Sequence, residues 1–283
     1  MDIKGMKYSG ERSLFSSSNL NLDNCEFVDG ESPLKESNNV FVKNCVFNWK
    51  YPMWYSNDIL VIDTLLTETA RSGIWYTNNI TIKNSDILAP KTFRRSTKIT
   101  LENVDLKNAL ETMWNCNDIN LNNVYVKGDY FCFNSSNINA NNIKIDGNYS
   151  FDGGKNIVIK DSILISKDAF WNCENVTVYN TLIVGEYLGW NSKNITFINC
   201  KIESLQGLCY MENVKMVDCE LVNTTLAFEY SSVDAKISAD ENLTIINPNS
   251  GQIKVDKVKE VILEEKYIDH SKIKIIVGDD CNE

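Results

Sequence analysis

Asn39-Val40-Phe41-Val42-Lys43-Asn44-Cys45-Val46-Phe47 returns as Asn79-Ile80-Thr81-Ile82-Lys83-Asn84-Ser85-Asp86-Ile87. It returns again as Asn194-Ile195-Thr196-Phe197-Ile198-Asn199-Cys200-Lys201-Ile202. Taking the first apolar residue as position zero, the unit recurs at Leu20, Val40, Ile59, Ile80, Ile99, Ile119, Ile138, Ile157, Val176, Ile195, Val214 and Val233. Most steps are 19 residues, the mark of a repeat architecture. Position two is again apolar (Leu22, Val42, Val61, Ile82), with polar residues between, which is the period of a strand with one buried face. Position four is Asn or Asp in eleven turns, from Asn24 to Asp218, and position seven resumes the apolar pattern at Phe27, Phe47 and Leu66. The amide therefore falls at a corner, where Asn tolerates a left-handed backbone. Stacked turn upon turn, such amides can bond along the axis.

A further apolar column lies six residues before position zero, at Leu14, Leu34, Met53, Ile74, Phe93, Met113 and onward. Three short strands per turn, each stacked on its counterpart, make an all-β, single-stranded parallel β-helix. Nothing repeats as a hexapeptide, so the right-handed form is expected, with about eleven to twelve turns of about 19 residues. The expected organisation is a single β-helix domain over 1–283. Residues 1–13 form an N-terminal cap, 14–237 the regular turns, and 238–283 a C-terminal cap and tail that includes Asp279-Asp280 and Glu283.

Composition narrows the function classes. The chain has 283 residues, 43% of them hydrophobic, so it can bury a substantial core. Its formal net charge of -10 argues against a general nucleic-acid or membrane-surface binder. No run of 18 apolar residues suggests a membrane span. The single His, His270, excludes a two-His metal site or a multi-His catalytic cluster, and no metal or cofactor is expected. Nine Cys without a Cys-x-x-Cys, and no apolar signal segment, point to reduced thiols and a cytoplasmic protein. Cys25 and Cys45 share a corner position, as do Cys200 and Cys219; Thr, Ser, Val and Ile hold it elsewhere, so these read as small buried residues. Cys116 and Cys173 share another position, with no chemistry assigned.

The phrases Glu31-Ser32-Pro33-Leu34-Lys35-Glu36, Trp49-Lys50-Tyr51-Pro52 and Gly185-Glu186-Tyr187-Leu188-Gly189-Trp190-Asn191 carry a resemblance. Over nearly its full length the chain resembles an uncharacterised bacterial family, domain of unknown function 3737. That family lies in the pectin-lyase-like right-handed parallel β-helix superfamily. The resemblance implies the fold and no established activity. The polygalacturonase-like Gly-His-Gly is absent, the sole Asp-Asp pair is Asp279-Asp280, and the pectate lyase Arg-x-Pro-x-x-Arg is missing. No catalytic residue carries over.

Function must then be sought on the surface. Five residues before position zero stand Trp54, Trp75, Arg94, Trp114, Phe133, Asp152, Trp171 and Trp190, and the isolated charges mark this column as outward-facing. Tyr130 and Tyr187 lie three residues earlier in their turns. Such an aromatic strip suits the apolar faces of sugars, so Trp54, Trp75, Trp114, Tyr130, Phe133, Trp171, Tyr187 and Trp190 are candidate ligand-binding residues for an oligo- or polysaccharide. Charge interrupts the strip: Arg94, Arg95, Glu111, Asp152 and Asp168 are candidate catalytic residues of a glycoside hydrolase or lyase. They fit a surface ion-pair network equally well. The other alternative is a structural or assembly protein that uses the Trp face for protein contact, including homo-oligomerisation.

Overall fold

The apolar alternation buries its residues where the repeat predicts. Leu20, Val40, Ile80, Ile99 and Ile119 at position zero, and Leu22, Val42, Ile82 and Leu101 at position two, are all almost fully buried. The computed structural model describes residues 1–264, 266 and 268–278. Asp279-Asp280 and the tail to Glu283 lie outside the described residues, as does the side chain of His270.

The chain forms two compact units, Met1–Ile145 and Asp146–Glu283, and each is a parallel β-solenoid. In the first unit the main ladder uses Asp2–Lys4, Ser18–Asp23, Asn38–Lys43, Asn57–Ile62, Asn78–Ile87, Thr97–Leu106, Asn117–Lys127 and Ser136–Asp146. Leu20 pairs with Val40, Val40 with Ile59, Ile59 with Ile80, Ile80 with Ile99, and Ile99 with Ile119. In the second unit the ladder uses Lys155–Lys160, Glu174–Tyr179, Lys193–Ile198, Glu212–Leu221, Ser232–Ala239, Ser250–Val255 and Ile273–Val277. No helix among the described residues is long and apolar enough to cross a membrane.

The ladder extends beyond residues 14–237 at both ends. Asp2–Lys4 pairs in parallel with Ser18–Asp23, and two more rungs, Ser250–Val255 and Ile273–Val277, follow Ser232–Ala239. The repeat is hidden there because Gly251 pairs with Val233 and so occupies position zero. Its φ is +106°, and a Cβ would lie 2.0 Å from the Val233 carbonyl oxygen, so an apolar side chain has no room. The expected third strand is short. It forms at Ile74–Trp75 and Phe93–Arg94, which pair with each other; most other rungs cross this face as hydrogen-bonded turns. Left-handed residues on either side, such as Ser72 and Tyr76 or Lys91 and Arg95, end it after two residues.

The corners explain the amides. Asn24, Asn44, Asp63, Asn84, Asn103, Asn123 and Asn142 all have φ between 48° and 55°. From Asn142 the side-chain amides donate in series to Asn123, Asn103 and Asn84, at 3.2, 2.7 and 3.0 Å. In the second unit Asn213, Asn194, Asn175 and Asn156 form an equivalent ladder before position zero. Asp sits at the N-terminal end of such runs, as Asp58 beneath Asn79 and Asp161 beneath Asn180, because a carboxylate accepts but has no donor to pass on. A third ladder, not anticipated from the repeat, joins Asn134 to Asn115 and Asn191 to Asn172 at the corner four before position zero.

Inside two of the corners, small polar residues satisfy the backbone. Cys25 N–H donates to Cys45 Sγ, Cys45 N–H to Thr64 Oγ1, and Thr64 N–H to Ser85 Oγ. Cys116 and Cys173 receive the same service from Ser135 and Ser192. A buried N–H turned inward needs such a partner. The eight cysteines among the described residues are buried free thiols, and burial pushes the Cys116 thiol up to about 12. From Leu20 to Leu221 turn lengths vary only between position seven and the next inward column: Phe47 to Met53 takes six residues and Leu66 to Ile74 takes eight; the next rung instead drops one residue at the position-four corner, where Cys219 pairs with Ile237.

Asn123 tests the amide ladder. Asn123→Gly removes two side-chain hydrogen bonds but keeps the left-handed backbone, whereas Asn123→Ala loses both. We expect urea midpoints to fall in the order wild type, Gly, Ala, with the Ala variant about 1 kcal/mol below Gly.

Candidate functional site

Stacking at strand spacing places like side chains over one another, and in the first unit this builds a continuous column. The Trp54 and Trp75 rings stack 5.2 Å apart with planes 8° from parallel. The Arg94 guanidinium follows, 4.6 Å from the Trp75 ring centre and 4.7 Å from that of Trp114. Phe133 closes the column 5.0 Å beyond Trp114. A second column stands beside it: Tyr55 and Tyr76 stack at 4.7 Å and 3°, with Lys35 over Tyr55 and Arg95 over Tyr76.

Each indole is pinned. Trp54 donates its Nε1–H to the Ser72 carbonyl, Trp75 to that of Lys91 at 2.8 Å, and Trp114 to that of Tyr130 at 2.8 Å. The rings are neither buried nor free: all three are half-buried, whereas Tyr55 is 45% exposed. Their faces cover one another, so the column presents ring edges to solvent. Face-on stacking by a sugar has little ring face left to use here.

Arg94 and Glu111 meet in this face. Arg94 Nη2 lies 3.4 Å from Glu111 Oε2, and Lys91 Nζ lies 3.0 Å from the same oxygen. Arg94 Nε is buried without a hydrogen-bond partner. Flanking rings compensate part of the charge through their negative faces, worth about 2 kcal/mol when desolvated. Arg95 stands outside this ion pair, against Tyr76.

The second unit carries Asp152, Asp168, Trp171, Tyr187 and Trp190. Trp190 donates its Nε1–H to the Gln206 carbonyl at 2.6 Å, with Tyr187 edge-on at 5.4 Å and Tyr210 tilted at 5.0 Å on the other side. Trp171 is half-buried, and its carbonyl accepts from Gly153 N–H at 2.8 Å. Later in the same column Cys209 and Phe228 are fully buried rather than outward-facing. Leu226 and Phe228 are both left-handed there, which breaks the alternation.

Asp152 Oδ1 accepts from the Asn172 amide at 3.2 Å, and Asp168 is only 4% exposed. Burial raises both carboxyls above the usual range. For Asp152 the Asn172 hydrogen bond opposes the rise; for Asp168 the charges of Glu186 and Asp152 add to it, against Lys167. The two are therefore electrostatic neighbours. What sequence reasoning missed is the mutual covering of the ring faces; that Tyr55 and Tyr76 directly follow Trp54 and Trp75 in their turns is visible in the sequence, but not that they stack as a column of their own.

The family model described as "Protein of unknown function (DUF3737)" matches residues 1–276. The chain belongs to this family. No curated protein matches it. Among solved structures, it is similar to PfbA, a surface adhesin of Streptococcus pneumoniae, with 14% identity over 77% of this chain and 71% of that one, at a TM-score of 0.43. It is also similar to the A-module of the Azotobacter vinelandii mannuronan C-5 epimerase AlgE4, with 10% identity over 97% of this chain and 88% of that one, at 0.31. A mutant tailspike protein of E. coli bacteriophage HK620 aligns at 8% identity over 100% of this chain and 72% of that one, at 0.38. Similarities this distant carry no argument about activity, which rests on the site itself.

Asp168 gives a pH test. Its folded pKa is raised, so folding favours the protonated form: that contribution is complete below the unfolded pKa and is lost as pH rises through the folded one. Asp168→Asn, which suits the left-handed φ of 54°, should therefore raise the melting temperature at pH 7, with the gain vanishing on acidification below the usual carboxylate range.

Proposed function

We propose that the aromatic face of the first unit binds an extended glycan running along the stacking direction. The observation that carries this reading is the pair of adjacent columns, Trp54–Trp75–Arg94–Trp114–Phe133 and Tyr55–Tyr76, whose edges repeat once per turn on one face. Strand spacing sets that repeat at about 4.8 Å. Each indole is tied to a backbone carbonyl and each tyrosine ring to its stacked neighbour, so little side-chain freedom is lost on binding. Tyrosine hydroxyls at the ring edges can donate to and accept from sugar hydroxyls, while ring C–H edges fill the apolar gaps.

The reading needs no catalytic step. Glu111 is engaged by both Lys91 and Arg94, which suits it to hold cations in place rather than to move protons.

The test is a glycan array followed by titration of the purified chain, read by tryptophan fluorescence. Tyr55→Ala and Tyr76→Ala are each expected to weaken binding about tenfold while the circular dichroism stays unchanged. Retention of no glycan at all, or wild-type affinity in both variants, would sink the proposal.

A further inference from the structure

All four arginines of the chain, Arg12, Arg71, Arg94 and Arg95, fall within the first 95 residues. Lysine supplies every other cation. The charge is also divided unevenly: residues 1–145 hold 15 Lys and Arg against 16 Asp and Glu, whereas residues 146–283 hold 13 against 22. The first unit is therefore nearly neutral in a chain of net charge -10. Three of its arginines lie against aromatic rings: Arg12 on Phe15, Arg94 between Trp75 and Trp114, and Arg95 on Tyr76.

Two cations share one anion at the centre of the aromatic face. Lys91 and Arg94 both bond to Glu111 Oε2, and Arg95, in the same turn as Arg94, makes no ion pair among the described residues. Two positive side chains are thus set against one carboxylate, and Arg95 adds a third cation on the same turn. Among the described residues Arg94 makes one side-chain hydrogen bond, from Nη2 to Glu111, and its side chain is 23% exposed. The two indoles hold the guanidinium plane fixed, with Glu111 using one of its five donors.

We infer that Lys91, Arg94 and Arg95 form an anion subsite within this face, and that the glycan it takes carries carboxylate or sulfate groups. The inference rests on the glycan-binding reading above and adds the class of ligand. A planar guanidinium fork held between rings is pre-organised for a planar or trigonal oxyanion, and Lys91 adds a point charge beside it. Glu111 is the internal competitor: it keeps the cations together in the free protein and opposes a second anion.

The experiment titrates the full chain with dextran, dextran sulfate and a polyuronate, read by tryptophan fluorescence at low and at high salt. Expected is a preference of at least about tenfold for a charged polymer over dextran, lost as salt shortens the screening length from roughly 10 Å to 3 Å. The sulfated and carboxylated arms tell the two sources apart. Arg94→Gln and, as a surface change that spares the stack, Lys91→Gln should each weaken binding of the charged polymer by about tenfold or more, and Lys91→Gln, which lies outside both ring columns, should leave dextran binding unchanged. Glu111→Gln should tighten the charged polymer several-fold, a result that a purely structural role for the ion pair does not give. Equal binding of dextran and both charged polymers would overturn the subsite and leave the glycan face standing. Charged-polymer affinity unchanged in Lys91→Gln and weakened in Glu111→Gln would overturn it as well. Binding of none of the three removes both.

Discussion

Each paired strand residue in this fold sits on its own counterpart one turn away, at the spacing of hydrogen-bonded strands. That single constraint decides which residues each column can hold. A column of amides can bond to itself, as Asn84, Asn103, Asn123 and Asn142 do. Flat rings can stack, inside as Phe27 on Phe47 at 4.6 Å and outside as Tyr55 on Tyr76. A column of like charges repels, so exposed lysines alternate with acids: Lys83 meets Glu102, Lys155 meets Glu174, and Lys193 meets Glu212. Exposed pairs of this kind add little stability each. They do disfavour a slipped register, in which like charges would face one another.

The same constraint shapes the candidate site. A ring column in a solenoid covers its own faces, so this surface recognises a ligand by edges, hydroxyls and the groups between rings. Arg94 continues the column because its guanidinium is flat; a lysine ammonium would leave a gap between Trp75 and Trp114. Its unpartnered Nε shows how far the stack takes precedence over hydrogen bonding at that point.

Much of this was legible in the chain. The columns at positions zero, two, four and seven fixed the parallel solenoid and the Asn corners, because burial and left-handed geometry act on residue type at constant spacing. The outward Trp column was legible for the same reason. Other features were hidden by physics that single columns do not display. Gly251 occupies a core position because of a close backbone approach, which concealed the last two rungs. Asn115, Asn134, Asn172 and Asn191 share their corner position with Tyr55, Tyr76 and Arg95 of earlier turns, which have the left-handed φ but not the chemistry, and Gly153 interrupts the amides, so no ladder stood out. The covering of ring faces depends on side-chain rotamers, and the joining of Glu111 to Arg94 on a contact between position five before zero and a corner of the next turn.

The varying turn length adds one more property. From Leu20 to Leu221 the chain keeps strict count from each inward column through position seven, and every extra residue is taken up at a single corner, as between Leu66 and Ile74. Growth is thereby separated from architecture. Ladders, ring columns and charge pairs read only the constant part, so that corner can lengthen or change sequence without disturbing the periodic stack. The solenoid behaves there as a frame with an open socket in each turn, where new surface can be added one turn at a time.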